Sequence, residues 1–191
     1  MTVKLLLASK SPRRRELLGQ LGLEYRVVDI DVDERLEADI AVDNVAEAIA
    51  CKKATGYRYE IGPSEVLVTA DTVVVHRGKV LGKPHSRQEA IEMLNDLSGD
   101  VHQVYTGVCL RGQTGQESFT ECTHVFFRNL TDDEISFYVD TYKPFDKAGA
   151  YGIQEWIGMV GIERIEGCFY NVMGLPTVRL YKELMNMMGG K

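Results

Sequence analysis

The chain has 191 residues, of which 45% are apolar and 26% charged, and a formal net charge of -6. That length allows one large domain or two lobes sharing a cleft, and the composition is that of an ordinary globular protein. An acidic balance speaks against a general nucleic-acid binder, although a cleft can still concentrate positive charge around a small anion.

In chain order, Lys4 to Ala8 reads as a buried strand. Leu5-Leu6-Leu7-Ala8 is too short for a signal-peptide core, and no stretch approaches the roughly 20 apolar residues of a membrane span. A cytoplasmic protein is therefore expected. Ser11 caps a helix with Pro12 at its first position, running through Glu16, Leu17, Leu18 and Leu21. Tyr25 to Ile30 is the next strand, ending in an acidic run closed by Glu34. Residues from about Asn44 to Tyr57 read as helix, with Val45, Ala48, Ile49 and Cys51 on a partly apolar face. Val66 to Ala70 is a short apolar strand continued by Thr72 to His76, and Arg77-Gly78-Lys79 forms a hairpin tip before Val80-Leu81.

Ser86 and Glu89 have capping-box spacing for a helix ending near Gly99. Two strands follow, Val101 to Arg111 and Glu117 to Phe127. Thr131 and Glu134 mark a second capping box and a helix to about Thr141. A last helix begins near Pro176, with Val178, Tyr181, Leu184, Met185 and Met188 expected to face the core. Alternating strands and helices imply a mixed α/β fold built on a mixed sheet. The four cysteines, Cys51, Cys109, Cys122 and Cys168, show no CxxC spacing. Reduced thiols are expected, and Cys122 with His124 reads as packing, not a zinc site.

Four segments carry chemistry. Ala8-Ser9-Lys10-Ser11-Pro12-Arg13-Arg14 places hydroxyls and guanidiniums where a strand enters a helix, whose free amides favour an anion. The plainer reading is a capped helix with solvated arginines. Asp71 interrupts the β-branched run Val66 to Val75, a costly position unless the carboxylate is paired, metal-bound or at a strand break. It suits a general base or a metal ligand, or else a bulge aspartate held by backbone amides. Lys52-Lys53, Gly82-Lys83-Pro84 and Glu34 supply cations and a further carboxylate for a metal-bound triphosphate. Asp146 to Gln154 is dense in small residues that allow close backbone approach. The Gln154 amide can donate to one carbonyl and accept from one ring N–H, the pattern of a uracil or thymine edge.

Taken together, these segments resemble the Maf family of nucleotide pyrophosphatases along nearly the whole chain. The likeness lies in the segment from Ala8 to Arg14, in Ala50-Cys51-Lys52-Lys53-Ala54, Ala70-Asp71-Thr72 and Gly82-Lys83-Pro84, in Asp146 to Gln154, and in Asn171-Val172-Met173-Gly174-Leu175-Pro176. One departure is Gly167-Cys168-Phe169-Tyr170, where relatives more often show Gly-Ser-Tyr. The resemblance implies a single domain over residues 1–191, with a curved mixed sheet flanked by helices and two lobes around a deep cleft, similar to the inosine triphosphatase class. It implies attack of water on the α-phosphate, assisted by a divalent cation (magnesium or manganese), with release of pyrophosphate.

By motif position Asp71 is the proton acceptor, Lys53 and Lys83 bind phosphates, and Ser9 and Arg13 contact substrate. Glu34 and Asp71 are the metal-side carboxylates. Arg13, Thr72 and Gln154 together look like the subgroup acting on dTTP and UTP, with ordinary or modified pyrimidine nucleotides left open; the alternative specificity is that of the sister subgroup, which acts on 7-methyl-GTP. The expected partner is a nucleoside triphosphate substrate, with no nucleic acid and no membrane, and a homodimer is left open. The rival of a different class is a nucleotide-binding regulator of cell division or septum formation without catalysis. A P-loop is excluded, because Gly82-Lys83-Pro84 lacks both the following Ser/Thr and the preceding glycine spacing.

Overall fold

A computed structural model describes residues 4–36 and 40–189, with side chains to residue 187. In chain order the elements are β1 (Lys4–Leu7), α1 (Pro12–Gln20), β2 (Tyr25–Val27), α2 (Val45–Gly56), β3 (Glu65–His76), β4 (Lys79–Leu81), α3 (Arg87–Leu97) and β5 (Val101–Arg111). They continue with β6 (Gln116–Phe127), α4 (Asp132–Tyr142), a 3-10 turn (Ala148–Ala150), α5 (Trp156–Gly161), β7 (Ile162–Glu166), α6 (Phe169–Met173) and α7 (Thr177–Gly189). Among the described residues, seven strands form one mixed sheet in the order β2-β1-β3-β5-β6-β7, with β4 paired to β3. Strand β1 is parallel to β2 and β3, whereas β4 runs antiparallel to β3 and β7 antiparallel to β6. The expected mixed α/β class is the observed one. Among the described residues no helix is long and apolar enough to cross a membrane.

By internal packing the chain divides into two compact units. The first comprises Met1–Asp71, Thr106–Glu121 and Gly174–Lys191, and the second Thr72–Tyr105 and Cys122–Met173. In the first, Leu6, Ala8, Ala50, Ala54, Leu67 and Cys109 share a core cluster. Helix α2 lies close against β5: a Cβ placed on Gly107 would stand 2.1 Å from the backbone nitrogen of Glu47. Helix α2 is also tied to β3, where Thr69 Oγ1 donates to the Ala50 carbonyl at 2.7 Å, and to the end of β5, where Arg111 Nη1 donates to the Ala54 carbonyl at 2.8 Å.

This close approach corrects the expected face of α2. Val45, Ala48, Ile49 and Cys51 are only partly buried, whereas Ala46, Ala50, Lys53 and Ala54 are buried. Those positions follow the i, i+4, i+7, i+8 pattern of one helical face, and three of them are alanines, small enough to meet a glycine on the strand. The expected face of α7 is right in part: Leu184 is buried and Met185 half-buried, but Val178 and Tyr181 are 75% and 45% exposed, and Leu180 joins Leu184 on the buried face. Met188 lies outside the residues whose side chains are described.

In the second unit, Val74, Leu94, Leu97, Val104, Phe127, Tyr138 and Tyr151 belong to one core cluster. The capping box at α4 is complete, with Thr131 and Glu134 each bonded to the other's backbone nitrogen. At α3 only half of it forms: Ser86 accepts from the Glu89 nitrogen, while the Glu89 carboxylate turns to the His85 nitrogen at 2.7 Å. Arg77 and Gly78 both have positive φ (49° and 74°), the twist a tight hairpin turn between β3 and β4 requires. The elements α5, β7 and α6 carry no strong sequence signal and were not expected.

Candidate active site

Strand β3 runs unbroken through Asp71, pairing with β1 over Glu65 to Val68 and with β4 over Val74 to His76. Asp71 is therefore neither in a turn nor at a strand end. The cost of placing its carboxylate there is offset by an ion pair: Lys53 Nζ donates to Asp71 Oδ1 at 2.7 Å. The two side chains are 11% and 18% exposed, so the charges are drawn largely out of water together. Lys53 reaches Asp71 because it shares the buried face of α2 with Ala46, Ala50 and Ala54. Lys52, one position round the helix, is turned to the Arg35 carbonyl at 2.5 Å. The same Lys53 ammonium stands 3.1 Å from Glu34 Oε1 in the irregular segment after β2. Glu34, Lys53 and Asp71, widely separated in sequence, thus form one cluster.

The junction of β1 and α1 adds the cations. Ser11 caps α1 by accepting from the Arg14 backbone nitrogen, and Pro12 occupies the start of the helix, as expected. Ser9 Oγ accepts from the Ser11 nitrogen at 3.2 Å and from Arg14 Nη1 at 3.4 Å. Arg14 Nε donates to the Gly174 carbonyl at 2.8 Å, which fixes the guanidinium plane. Burial lowers the Arg14 pKa; Asp71 and Glu34 act against this, and Arg13 reinforces it. Arg14 therefore shares an electrostatic environment with Arg13 and with both carboxylates. It is the functional candidate that motif position passed over in favour of Arg13, because the contact that orients it comes from Gly174, far away in sequence.

The second unit holds Thr72, Lys83 and Gln154. Thr72 is half-buried on β3, directly after Asp71, while Lys83 and Gln154 are exposed. The Lys83 loop is tied to the small-residue loop by the Gly149 nitrogen, which donates to the Gly82 carbonyl at 3.1 Å. Gly149 has φ 67° and lies against Val74, so a side chain there would meet both backbone strain and crowding. Lys147 is buried and paired with Asp146 Oδ1 at 2.7 Å and Glu155 Oε1 at 3.1 Å.

Glu34 and Asp71 are hard oxygen donors suited to a magnesium-class ion. Such an ion typically takes one or two carboxylates and completes its shell with water and substrate phosphate. Among the described residues no group of three or more His, Cys, Asp or Glu side chains is placed to hold an ion unaided. The four cysteines are free thiols.

A strand-to-helix junction carrying Ser9, Ser11 and Arg14, and the Asp71–Lys53–Glu34 cluster, both in the first unit, suit a protein that handles nucleotide phosphates. The sequence profile described as Maf-like protein matches residues 4–187. The chain is 53% identical over 185 residues to a protein of Bacteroides fragilis named dTTP/UTP pyrophosphatase, with 96% of each chain covered. It is 49% identical to a protein of the same name from Phocaeicola vulgatus, again with 96% of each covered. The structure of a HAM1 protein from Coxiella burnetii is similar at a TM-score of 0.50 and 15% identity, covering 96% of this chain and 99% of that one, a likeness of fold. The chain belongs to the Maf family.

Proposed function

We propose that this chain hydrolyses dTTP and UTP to the monophosphate and pyrophosphate, with modified pyrimidine triphosphates inside the same substrate class. The observation that carries the reading is the Asp71 carboxylate, held on β3 by Lys53 at 2.7 Å with Glu34 on the same ammonium. Its support comes from near-full-length identity to proteins named for that activity. Asp71 takes the proton from the attacking water at the α-phosphorus. Arg13 and Arg14, at the amino end of α1, and Lys53 and Lys83 offer donors to phosphate oxygens, where fixed charge stabilises the leaving pyrophosphate most strongly. Glu34 and Asp71 would hold a magnesium or manganese ion, which would supply charge neutralisation at the phosphates. Gln154 reads the base and Thr72 orients the nucleotide or Asp71. The expected setting is the cytoplasm.

The test is a panel of nucleoside triphosphates with the purified protein and magnesium or manganese, assayed separately for pyrophosphate and orthophosphate. The expected result is UMP and dTMP with stoichiometric pyrophosphate. UDP and orthophosphate as primary products would exclude attack at the α-phosphorus.

A further inference from the structure

Gln154 is exposed, yet both its neighbours are fixed. Ile153 is 5% exposed and belongs to the core cluster of the second unit. Its carbonyl is packed under α5 so closely that a Cβ on Gly158 would lie 1.8 Å from the oxygen. On the other side, the Glu155 carbonyl accepts from the Gly158 nitrogen at 3.0 Å. The Glu155 carboxylate has two partners: Oε1 pairs with buried Lys147 Nζ at 3.1 Å, and Oε2 accepts from the hydroxyl of fully buried Tyr138. That hydroxyl accepts in turn from the Gly152 nitrogen at 3.0 Å. Donor and acceptor capacities of the hydroxyl are both used, so its direction is set. The chain enters the segment through Gly149 and Ala150, both in the left-handed region at φ 67° and 61°. A non-glycine residue persists there only where its surroundings over-determine the backbone.

We propose that Glu155 is the positioning residue for base selection: bridging Lys147 and Tyr138, it clamps the segment from Gly152 to Glu155 so that the Gln154 amide meets the pyrimidine edge in a preset orientation. The proposal rests on the reading of Gln154 as the base-reading group. A carboxamide held in advance loses little freedom on binding, whereas one on a slack loop loses both affinity and discrimination.

The experiment compares kcat/KM for UTP with kcat/KM for GTP in the parent, Gln154→Leu, Glu155→Gln and the double variant. The ratio of the two is independent of how much protein is folded, so a merely structural role leaves it unchanged. Glu155→Gln keeps the volume and removes the charge that pairs position 155 with Lys147, and the UTP/GTP ratio is expected to fall about 10–100-fold. In the double variant it should fall no further than in Gln154→Leu. A Glu155→Gln ratio equal to the parent's overturns the proposal while leaving Gln154 in place. An undiminished effect of Glu155→Gln in the Gln154→Leu background overturns it too, because Glu155 would then act by another route. An unchanged ratio in Gln154→Leu overturns the base-reading role itself and the proposal with it. If Glu155→Gln yields no soluble protein, Tyr138→Phe decides in the same terms. It keeps the carboxylate and removes only the hydroxyl that joins Glu155 to the Gly152 nitrogen.

Discussion

Lys53 on α2 and Asp71 on β3, 18 positions apart, meet at 2.7 Å on the buried side of the helix. The contact joins the most costly charge of the strand to the one lysine that the helix turns inward. It also separates Lys53 from its neighbour Lys52, in keeping with the motif position that singles out Lys53.

Replacing Asp71 by Asn keeps the shape and removes the charge. Loss of a positioned general base costs about 10²–10⁴-fold, so turnover of UTP should collapse while the circular dichroism spectrum stays that of the parent. Near-parental turnover would move the role to Glu34, the other carboxylate on Lys53.

Lys53→Met and Lys52→Met should separate cleanly in urea unfolding. The first leaves Asp71 largely buried without its ammonium and is expected to cost about 1–3 kcal/mol, with loss of activity. The second removes an exposed contact to a carbonyl and should stay within about 0.5 kcal/mol. Equal effects of the two would show that the pairing in the structure is not the one that matters in solution.

Gly107 and Gly115 make a matched pair of tests. A Cβ on Gly107 collides with the backbone of α2, whereas one on Gly115 meets nothing within 4 Å. Gly107→Ala is expected to lower stability by about 3 kcal/mol or more, beyond ordinary overpacking because backbone and not side chain must yield. Gly115→Ala should be near neutral. Thermal melts of the two variants decide it, and a Gly107→Ala melt like the parent's would contradict the close approach of α2 to β5.

His102 gives a pH prediction with a definite sign. It is 1% exposed, its Nε2 is 2.7 Å from the Tyr151 hydroxyl, and its Nδ1 has no hydrogen-bond partner. Burial pushes its pKa down to about 3, with His76 adding to the shift and Asp100 opposing it. Below the ordinary histidine range, around pH 6.5, the unfolded chain takes up a proton that the folded one refuses. Stability tied to His102 is therefore fully present above that range and is lost as pH falls toward 3. His102→Gln should flatten the stability profile between about pH 6 and 4 by close to one proton, about 1.4 kcal/mol per pH unit. Unfolding curves at pH 7, 5 and 4 with parallel slopes in parent and variant would contradict it.

Where the sequence was informative, a local cause stood behind it. Strand β5 begins after Gly99 and stops before Gly112, and its observed bounds, Val101–Arg111, are the expected ones. The α4 capping box was legible because both partners lie within four residues of each other. Asp71 was legible because a carboxylate among β-branched residues demands a partner, although only the fold shows that Lys53 provides it. The face of α2 was misread because burial there follows residue size: alanines opposite a glycine carry little hydropathy contrast. Arg14 could not be preferred to Arg13 from sequence, since its guanidinium is oriented by the Gly174 carbonyl, 160 residues away. Elements α5, β7 and α6 span only five or six residues each, too few for a periodic pattern to register.

One ammonium with two unlike partners has a consequence for solution conditions. Asp71 is fixed on a strand and 18% exposed, whereas Glu34 is 56% exposed in an irregular segment. Dissolved salt screens exposed charges and scarcely reaches buried ones. Rising ionic strength should therefore loosen Glu34 from Lys53 and leave Asp71 in place, so that the carboxylate pair answers to the medium through only one of its members.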